Sequence, residues 1–466
     1  MLITIRDFHM GAAGRSGPHQ HEISIGFRIA MRDYIVLGIV FGSVLVILRY
    51  PYVGVLVWSW ISYMNPHRLA YGVAYDFPVA ALTGGTLLVA LMFSKEPKRI
   101  PWTGLTIVWI LLVVWMSFTT LFALVPDLAV EGWEKMIKIQ LITFVTLILM
   151  RSRDRINWLI IVIVMSLGFY GVKGGIFTLL TGANYKVYGP PNSFIEDNNA
   201  MALALIMAIP LMRYLQLYAT KMWMHVALIA LTGLSVLSIV ASYSRGALLA
   251  GVAMGLALVA KSPKRGRIIL VLLISMPLLI TFVPYKWIER MDTIGAYEQD
   301  ASALGRINAW WFAFNLAKDR PFVGGGFDAN SKEVFQRYAP DPDDYHDAHS
   351  IYFEMLGEHG FVGLALFLIL GALALRTGTY VVRRANSDPE LKWAKDLASM
   401  VRISVIGYAV GGTFLGLAYF DFYYHLVAVL VLLRSIVEER IAVKVASETR
   451  EPPVAGAVVR QSVPSG

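Results

Sequence analysis

Long apolar runs separated by short polar links organise the chain. They cover approximately residues 34–49, 51–64, 77–94, 101–125, 136–150, 156–172, 198–212, 222–242, 246–260, 268–284, 351–375, 403–420 and 422–433. Polar and apolar residues do not alternate within them as they would in barrel strands. Many runs reach or approach the roughly 17–25 residues with which a helix crosses a bilayer. The pattern predicts an all-α polytopic membrane protein. The first two runs are short and joined only by Tyr50. Counting 34–64 as one crossing, or as a helix broken around Pro51, gives about 12 transmembrane helices with both termini on one side. Two full crossings there would put the N-terminus on the other side.

The links 95–99, 151–155, 261–267 and 376–395 are net basic. Basic links stay on the cytoplasmic side. This assigns 126–134, 181–197, 243–245 and 285–350 to the outer side. The longest link, 286–348, has seven Lys/Arg against eleven Asp/Glu, an acidic balance suited to an outer segment. The expected layout is a polar, poorly ordered extension over 1–30 that lacks the apolar stretch of a signal peptide. A first set of helices over 31–284 follows. One large outer loop with short helices spans 285–350, then come C-terminal helices over 351–437 and an inner tail over 438–466.

Composition agrees with the pattern. Of 466 residues 57% are hydrophobic and 16% charged, against about 25% charged in soluble domains. The absence of cysteine excludes disulfides and thiolate chemistry and argues against a zinc site. The net charge of +9 is accounted for by basic inner links, so no nucleic-acid partner is expected. No internal repeat is visible, and most runs lack a central charge, which disfavours a transporter. Polar chemistry gathers at the outer face, as in an enzyme working at the membrane–water interface.

Ser244-Arg245-Gly246-Ala247 forms a tight turn between two apolar runs. An arginine at the bilayer centre costs about 2.5–3.5 kcal/mol, less near the surface, and an anionic headgroup would compensate for it. The ordinary alternative is a side chain snorkelling at a helix end. Gly305-Arg306 opens an amphipathic stretch expected to set Trp310, Trp311 and Phe312 at the interface. There Arg306 and a helix N-terminus would suit a phosphate, or Arg306 is a plain surface charge. Gly324-Gly325-Gly326 allows unusual backbone angles and shapes the site. Lys173 and Lys186, flanking the outer end of run 156–172, could add positive potential or be merely solvated.

The stretch DDYHDAHSIYFEMLGEHGFVG, residues 343–363, passes from acids and histidines into an apolar helix. His349 lies just ahead of that helix, where the positive end of the dipole favours neutral imidazole, a proton acceptor. Asp347 or a neighbouring carboxylate could orient it; otherwise His349 is a capping histidine. Asp341-Pro342-Asp343 with His346 and His349 admits a metal reading. Two arginines in the same compartment point instead to neutralisation of an anion by guanidinium, so no metal or cofactor is expected.

Taken together, the S-R-G-A turn, the G-R pair opening a long outer loop and H-S-I-Y-F-E-M-L-G-E-H-G at its exit resemble the O-antigen ligase and polymerase superfamily of bacterial membrane glycosyltransferases. His349, Ser350, Leu356 and Gly360 match its loop-exit motif. SWISYMNPHRLAYGVAYDFP, residues 59–78, further resembles the N-terminal block of exosortase-associated O-glycosylation ligases. The resemblance spans roughly residues 32–440.

It implies a GT-C-like fold in the bacterial inner membrane with a periplasmic active site, active in lipopolysaccharide biosynthesis. The donor would be a glycan on undecaprenyl pyrophosphate. The acceptor would be lipid A–core oligosaccharide, or protein in the O-glycosylating branch. Transfer would be inverting and metal-independent, with His349 as general base and Arg245 and Arg306 gripping pyrophosphate. Lys173, Lys186, His346 and Asp347 match no firm motif and are auxiliary. An O-antigen polymerase of the same superfamily is the near alternative; a lipid-linked glycan flippase is the alternative from another class.

Overall fold

The computed structural model describes residues 18–261, 266 and 301–448; the run 268–284 and the start of the large loop lie outside the described residues. Numbered in chain order, the first helices are α1 (Pro18–Arg49), α2 (Pro51–Met64), the short α3 (Val73–Asp76), α4 (Val79–Phe93) and α5 (Gly104–Thr120). Next come α6 (Pro126–Leu149), α7 (Arg153–Thr181), α8 (Asn198–Leu217), α9 (Met222–Val240) and α10 (Arg245–Lys261). Beyond residue 300 are α11 (Ala301–Asp319), α12 (Lys332–Tyr338), α13 (Ile351–Arg384), α14 (Lys392–Gly411) and α15 (Asp421–Glu448). No strand occurs among the described residues. Among the described residues six segments, in α1, α7, α8, α9, α13 and α14, are long and apolar enough to cross a membrane, and α4, α5 and α10 are shorter apolar helices.

The bundle has two ends, each held by its own contacts. At the first, Asn192 donates to Tyr75 at 3.1 Å, and the Val187 N–H donates to Ala241 at 3.3 Å. Phe194 meets Phe420 at 6.3 Å, and the Leu124 N–H donates to Gly325 at 2.8 Å. At the other end Arg155 grips both oxygens of Glu96, at 2.6 and 2.8 Å. Arg151 reaches Glu439 at 3.3 Å, Arg440 approaches Asp388 at 3.9 Å, and Tyr218 donates to Asp396 at 2.9 Å. The basic links 95–99, 151–155 and 376–395 thus share one end. The loop that precedes α13 lies at the other, called the loop face below.

The N-terminal helices depart from the expected single crossing. Proline lacks an N–H and cannot continue a helix. Tyr50 before it is extended, with φ −133° and ψ 85°, and Pro51 starts a new helix. Chain direction then reverses. A Cβ on Gly54 would lie 3.1 Å from Ile47, and Val40 shares a core cluster with Ile61 and Val79. Asp33, near the start of the apolar part of α1, accepts from the Ala74 N–H at 3.0 Å. That part of α1 therefore begins on the loop face, whereas α15 ends opposite, beside Arg151 and Asp388. The chain ends themselves, 1–17 and 449–466, for which one shared side was expected, lie outside the described residues. Helix α1 already begins at Pro18, inside the segment 1–30 expected to be an extension.

Close packing of α7 on α9 illustrates how the bundle is held. Lipid is as apolar as leucine, so helices associate through tight van der Waals contact between small residues. A Cβ on Gly171 would stand 2.1 Å from Ser235 Oγ, and one on Gly175 would stand 2.4 Å from the Leu234 carbonyl. Between α5 and α6 the fully buried Trp109 donates to Gln140 at 2.7 Å. Gly175→Val, which forces α7 away from a rigid backbone atom, should cost about 1–3 kcal/mol and visibly lower the thermal midpoint in detergent. Gly233→Ala, where no atom lies within 4 Å of the new Cβ, should leave the midpoint unchanged or slightly raised.

Candidate functional site

The loop exit runs along α11 through three contacts. Asn308, buried on α11, donates to the carbonyls of Asp341 and Asp344 at 2.7 and 3.0 Å and accepts from the Asp341 N–H at 3.0 Å. The His346 ring lies over Gly305, where a Cβ would come within 2.6 Å of Nδ1. Trp310 donates its indole N–H to the Ala348 carbonyl at 2.8 Å. The glycine of the Gly305-Arg306 pair is thus required by the histidine above it. Asp341 accepts from the Asp343 N–H at 3.2 Å, so the D-x-D sequence closes a turn.

His349 follows directly. Its φ of +42° is a left-handed value uncommon outside glycine. Ser350 is the N-cap of α13, so the imidazole stands just ahead of the helix. The ring is partly exposed, with Nδ1 3.5 Å from Asp347 Oδ2. His346 Nδ1 lies 2.9 Å from Asp344 Oδ1.

The S-R-G-A turn joins this site through an aromatic bridge. Ser244 caps α10 by accepting from the Ala247 N–H at 3.1 Å, and half-buried Arg245 is the first residue of α10. Gly246 lies against Phe414, whose Cβ would be 2.9 Å from a new Cβ. Phe414 meets Trp310 at 6.5 Å, and Trp310 holds Ala348. Tyr243, at φ +56°, donates to Ala183, which ties the loop carrying Lys186 to the same turn. Lys173 is exposed inside α7, because that helix outlasts its apolar run and ends at Thr181. Among the described residues no hydrogen bond or ion pair ties Lys173 to the other candidates.

Helix α13 breaks at Gly360, with φ +67° and ψ −171°. The stub that ends there needs acceptors satisfied at its last carbonyls. The Gly325 and Gly326 N–H groups donate to Gly357 and Glu358, both at 2.8 Å, and Trp115 donates to the His359 carbonyl at 3.1 Å. The three glycines approach a helix end. Gly324 and Gly326 hold left-handed φ values of +61° and +86°.

Side chains of the same stub hold the segment between α14 and α15. Glu354 accepts from the Ala418 N–H at 3.0 Å. Glu358 accepts from the Asp328 N–H at 3.0 Å and from Tyr419. His359, fully buried, pairs with Thr119 at 2.7 Å and Tyr419 at 2.8 Å. A Cβ on Gly416 would lie 3.5 Å from Glu354 and 3.6 Å from Asp347. Burial raises the Asp328 carboxyl above the usual range; Lys135 opposes this, while Glu131 and Asp347 add to it. Sequence reasoning missed this network. Its signal was two acids four residues apart on one face of an otherwise apolar helix.

Two differences concern aromatic and basic residues of α11. Phe312, expected at the interface, is buried and stacks on Phe335 at 4.9 Å. Arg306 is half-buried in the second turn of α11, which begins at Ala301 rather than at the arginine.

Comparison with known families covers both halves of the chain. A family of unknown function matches residues 31–220. A family described as O-antigen ligase matches residues 228–368, a segment that contains Arg245, Arg306, Asp347 and His349. No curated protein matches. The match over residues 228–368 supports membership of the O-antigen ligase and polymerase superfamily.

Proposed function

We propose that the protein is an O-antigen ligase-type glycosyltransferase that moves a glycan from undecaprenyl pyrophosphate to lipid A–core oligosaccharide. The observation that carries this reading is the run of contacts Gly246–Phe414–Trp310–Ala348, which joins the turn of Arg245 to α11, with Arg306, and to the backbone beside His349. The proposed orientation puts the loop face in the periplasm and the basic end in the cytoplasm of the inner membrane, in accord with the positive-inside tendency.

In the proposed step His349 takes the proton of an acceptor hydroxyl. The hydroxyl oxygen attacks the anomeric carbon from the side opposite the pyrophosphate, the new C–O bond forms, and the bond from that carbon to the phosphate oxygen breaks. Configuration inverts, and the electron pair leaves with the lipid pyrophosphate. Arg245 and Arg306 bind that developing charge, which favours the transition state over the ground state. Guanidinium suits this role because its planar fork holds two phosphate oxygens at once. Asp347 orients the imidazole, and no metal takes part in the step.

Two kinetic outcomes test the assignment in purified protein supplied with lipid-linked glycan and lipid A–core. His349→Asn keeps a residue that tolerates left-handed φ, so the fold should persist while kcat falls about 10²–10⁴-fold; near-normal turnover removes His349 as base. Arg245→Lys and Arg306→Lys should each lower kcat/KM for the donor about tenfold or more, because lysine offers a point charge in place of the fork. Unchanged donor kinetics in both would defeat the pyrophosphate role.

A further inference from the structure

Helix α14 carries an arginine at the depth of the bundle. Arg402 lies about 15 Å along the axis from Lys392, at roughly 1.5 Å per residue. Two residues on, Ser404 donates to the carbonyl of Met207, midway along α8, at 2.7 Å. Arg402 is therefore close to the middle of the bundle, on the side of the basic end. Its stem is clamped between helices: a Cβ on Gly378 of α13 would meet Arg402 Cγ at 2.4 Å and Leu430 of α15 at 3.3 Å. The Nε is buried without a hydrogen-bond partner. Among the described residues the Arg402 side chain makes no hydrogen bond or ion pair. The charge that bears on it is another guanidinium, that of exposed Arg383, which follows Gly378 toward the basic end and has no ion pair either. The acids at this end are already engaged. Glu438 pairs with Arg434 at 2.9 Å, Glu439 with Arg151 at 3.3 Å and Asp388 with Arg440 at 3.9 Å, while Asp396 accepts from Tyr218 at 2.9 Å.

An ionised side chain inside a membrane is costly unless paired, and a second charge of the same sign adds repulsion. Snorkelling is the ordinary remedy. It frees only the head of the side chain, however, and the clamped Nε stays without an acceptor. An anion has to come to the two arginines. At this depth the anion at hand is a lipid phosphate, whose acyl chains can follow α13 and α14 into the bilayer. Guanidinium holds two phosphate oxygens at once. We infer that Arg402 and Arg383 bind the phosphate of an anionic phospholipid between α13 and α14, in the leaflet at the basic end. Two positive charges with no acid to spare favour a lipid of net negative charge. The amine of a zwitterionic headgroup finds no carboxylate there. Such a lipid would brace α14 against α13, the helix whose stop at Gly360 sets the loop face. The site is remote from the loop face and does not depend on the ligase reading.

The test titrates phosphatidylglycerol into the full-length protein, stripped of lipid in a neutral detergent, and follows the thermal midpoint. The midpoint of wild type should rise, because a ligand that binds only the folded state stabilises it. Phosphatidylcholine and inorganic phosphate should have little effect. Arg402→Gln keeps the stem and should weaken the apparent affinity for phosphatidylglycerol about tenfold or more. Without lipid it should unfold at the wild-type temperature or above, since an uncompensated charge is gone. Arg383→Gln, at an exposed position, should weaken the affinity as well and tests the pair even if Arg402→Gln folds poorly. Arg376→Gln, also exposed on α13, should keep wild-type affinity. Equal stabilisation of wild type, Arg402→Gln and Arg383→Gln overturns the inference. So does an equal loss in Arg376→Gln, which would reduce the effect to general surface charge. An equal response to phosphatidylcholine would make it a bulk-lipid effect, and one to inorganic phosphate a free-anion site; either rules out the anionic lipid.

Discussion

A helix that stops inside a bundle must have its last carbonyls satisfied, and the stop at Gly360 is the constraint from which the loop face follows. Unpaired backbone groups are costly wherever water is scarce. Here the N–H groups of Gly325 and Gly326 and the indole of Trp115 meet those carbonyls. A Cβ on Gly324, Gly325 or Gly326 would meet another atom at 2.6, 2.5 or 2.4 Å, and Gly324 and Gly326 are left-handed, hence the glycines. The same loop follows the end of α11, so capping α13 also fixes where α11 lies. Through Asn308, Gly305 and Trp310, α11 then sets the path of residues 341–348. His349 takes its unusual φ at the end of that path.

Carboxylates of the stub extend the constraint to the segment between α14 and α15. Glu354 and Glu358 hold Ala418 and Tyr419, and Phe414 in that segment touches the Arg245 turn. A site gathered from four separate stretches of chain is thereby tied to one helix end. Buried polar networks of this kind are costly when half satisfied and rigid when complete. Rigidity is what a transfer reaction needs from groups that must meet a charge as it develops.

Much of this was legible in the sequence. Apolar runs located the helices because a chain that crosses a bilayer must bury its backbone polar groups within each apolar segment, and basic links sorted the two ends. The S-R-G-A, G-R and H-S motifs marked residues that the fold brings to one face. What the sequence hid has physical causes. Hydropathy cannot distinguish a helix bent at Pro51 from two helices that double back, because both bury the same residues; Gly54 against Ile47 decides it. Lys173 looked like a flank because the apolar run ends before α7 does. Phe312 looked interfacial beside two tryptophans, yet its helical phase turns it toward Phe335. Glu354 and Glu358 stood in plain view, but their partners lie about sixty residues on, at Ala418 and Tyr419.

The most direct measurement follows both products when purified wild-type protein receives undecaprenyl-pyrophosphate glycan and lipid A–core together. The account requires glycosylated lipid A–core to appear with an equal amount of free undecaprenyl pyrophosphate, while the lipid-linked glycan does not lengthen. Lengthening of the lipid-linked glycan without ligated product would contradict the ligase assignment in favour of a polymerase. Absence of any turnover would contradict the enzymatic account itself.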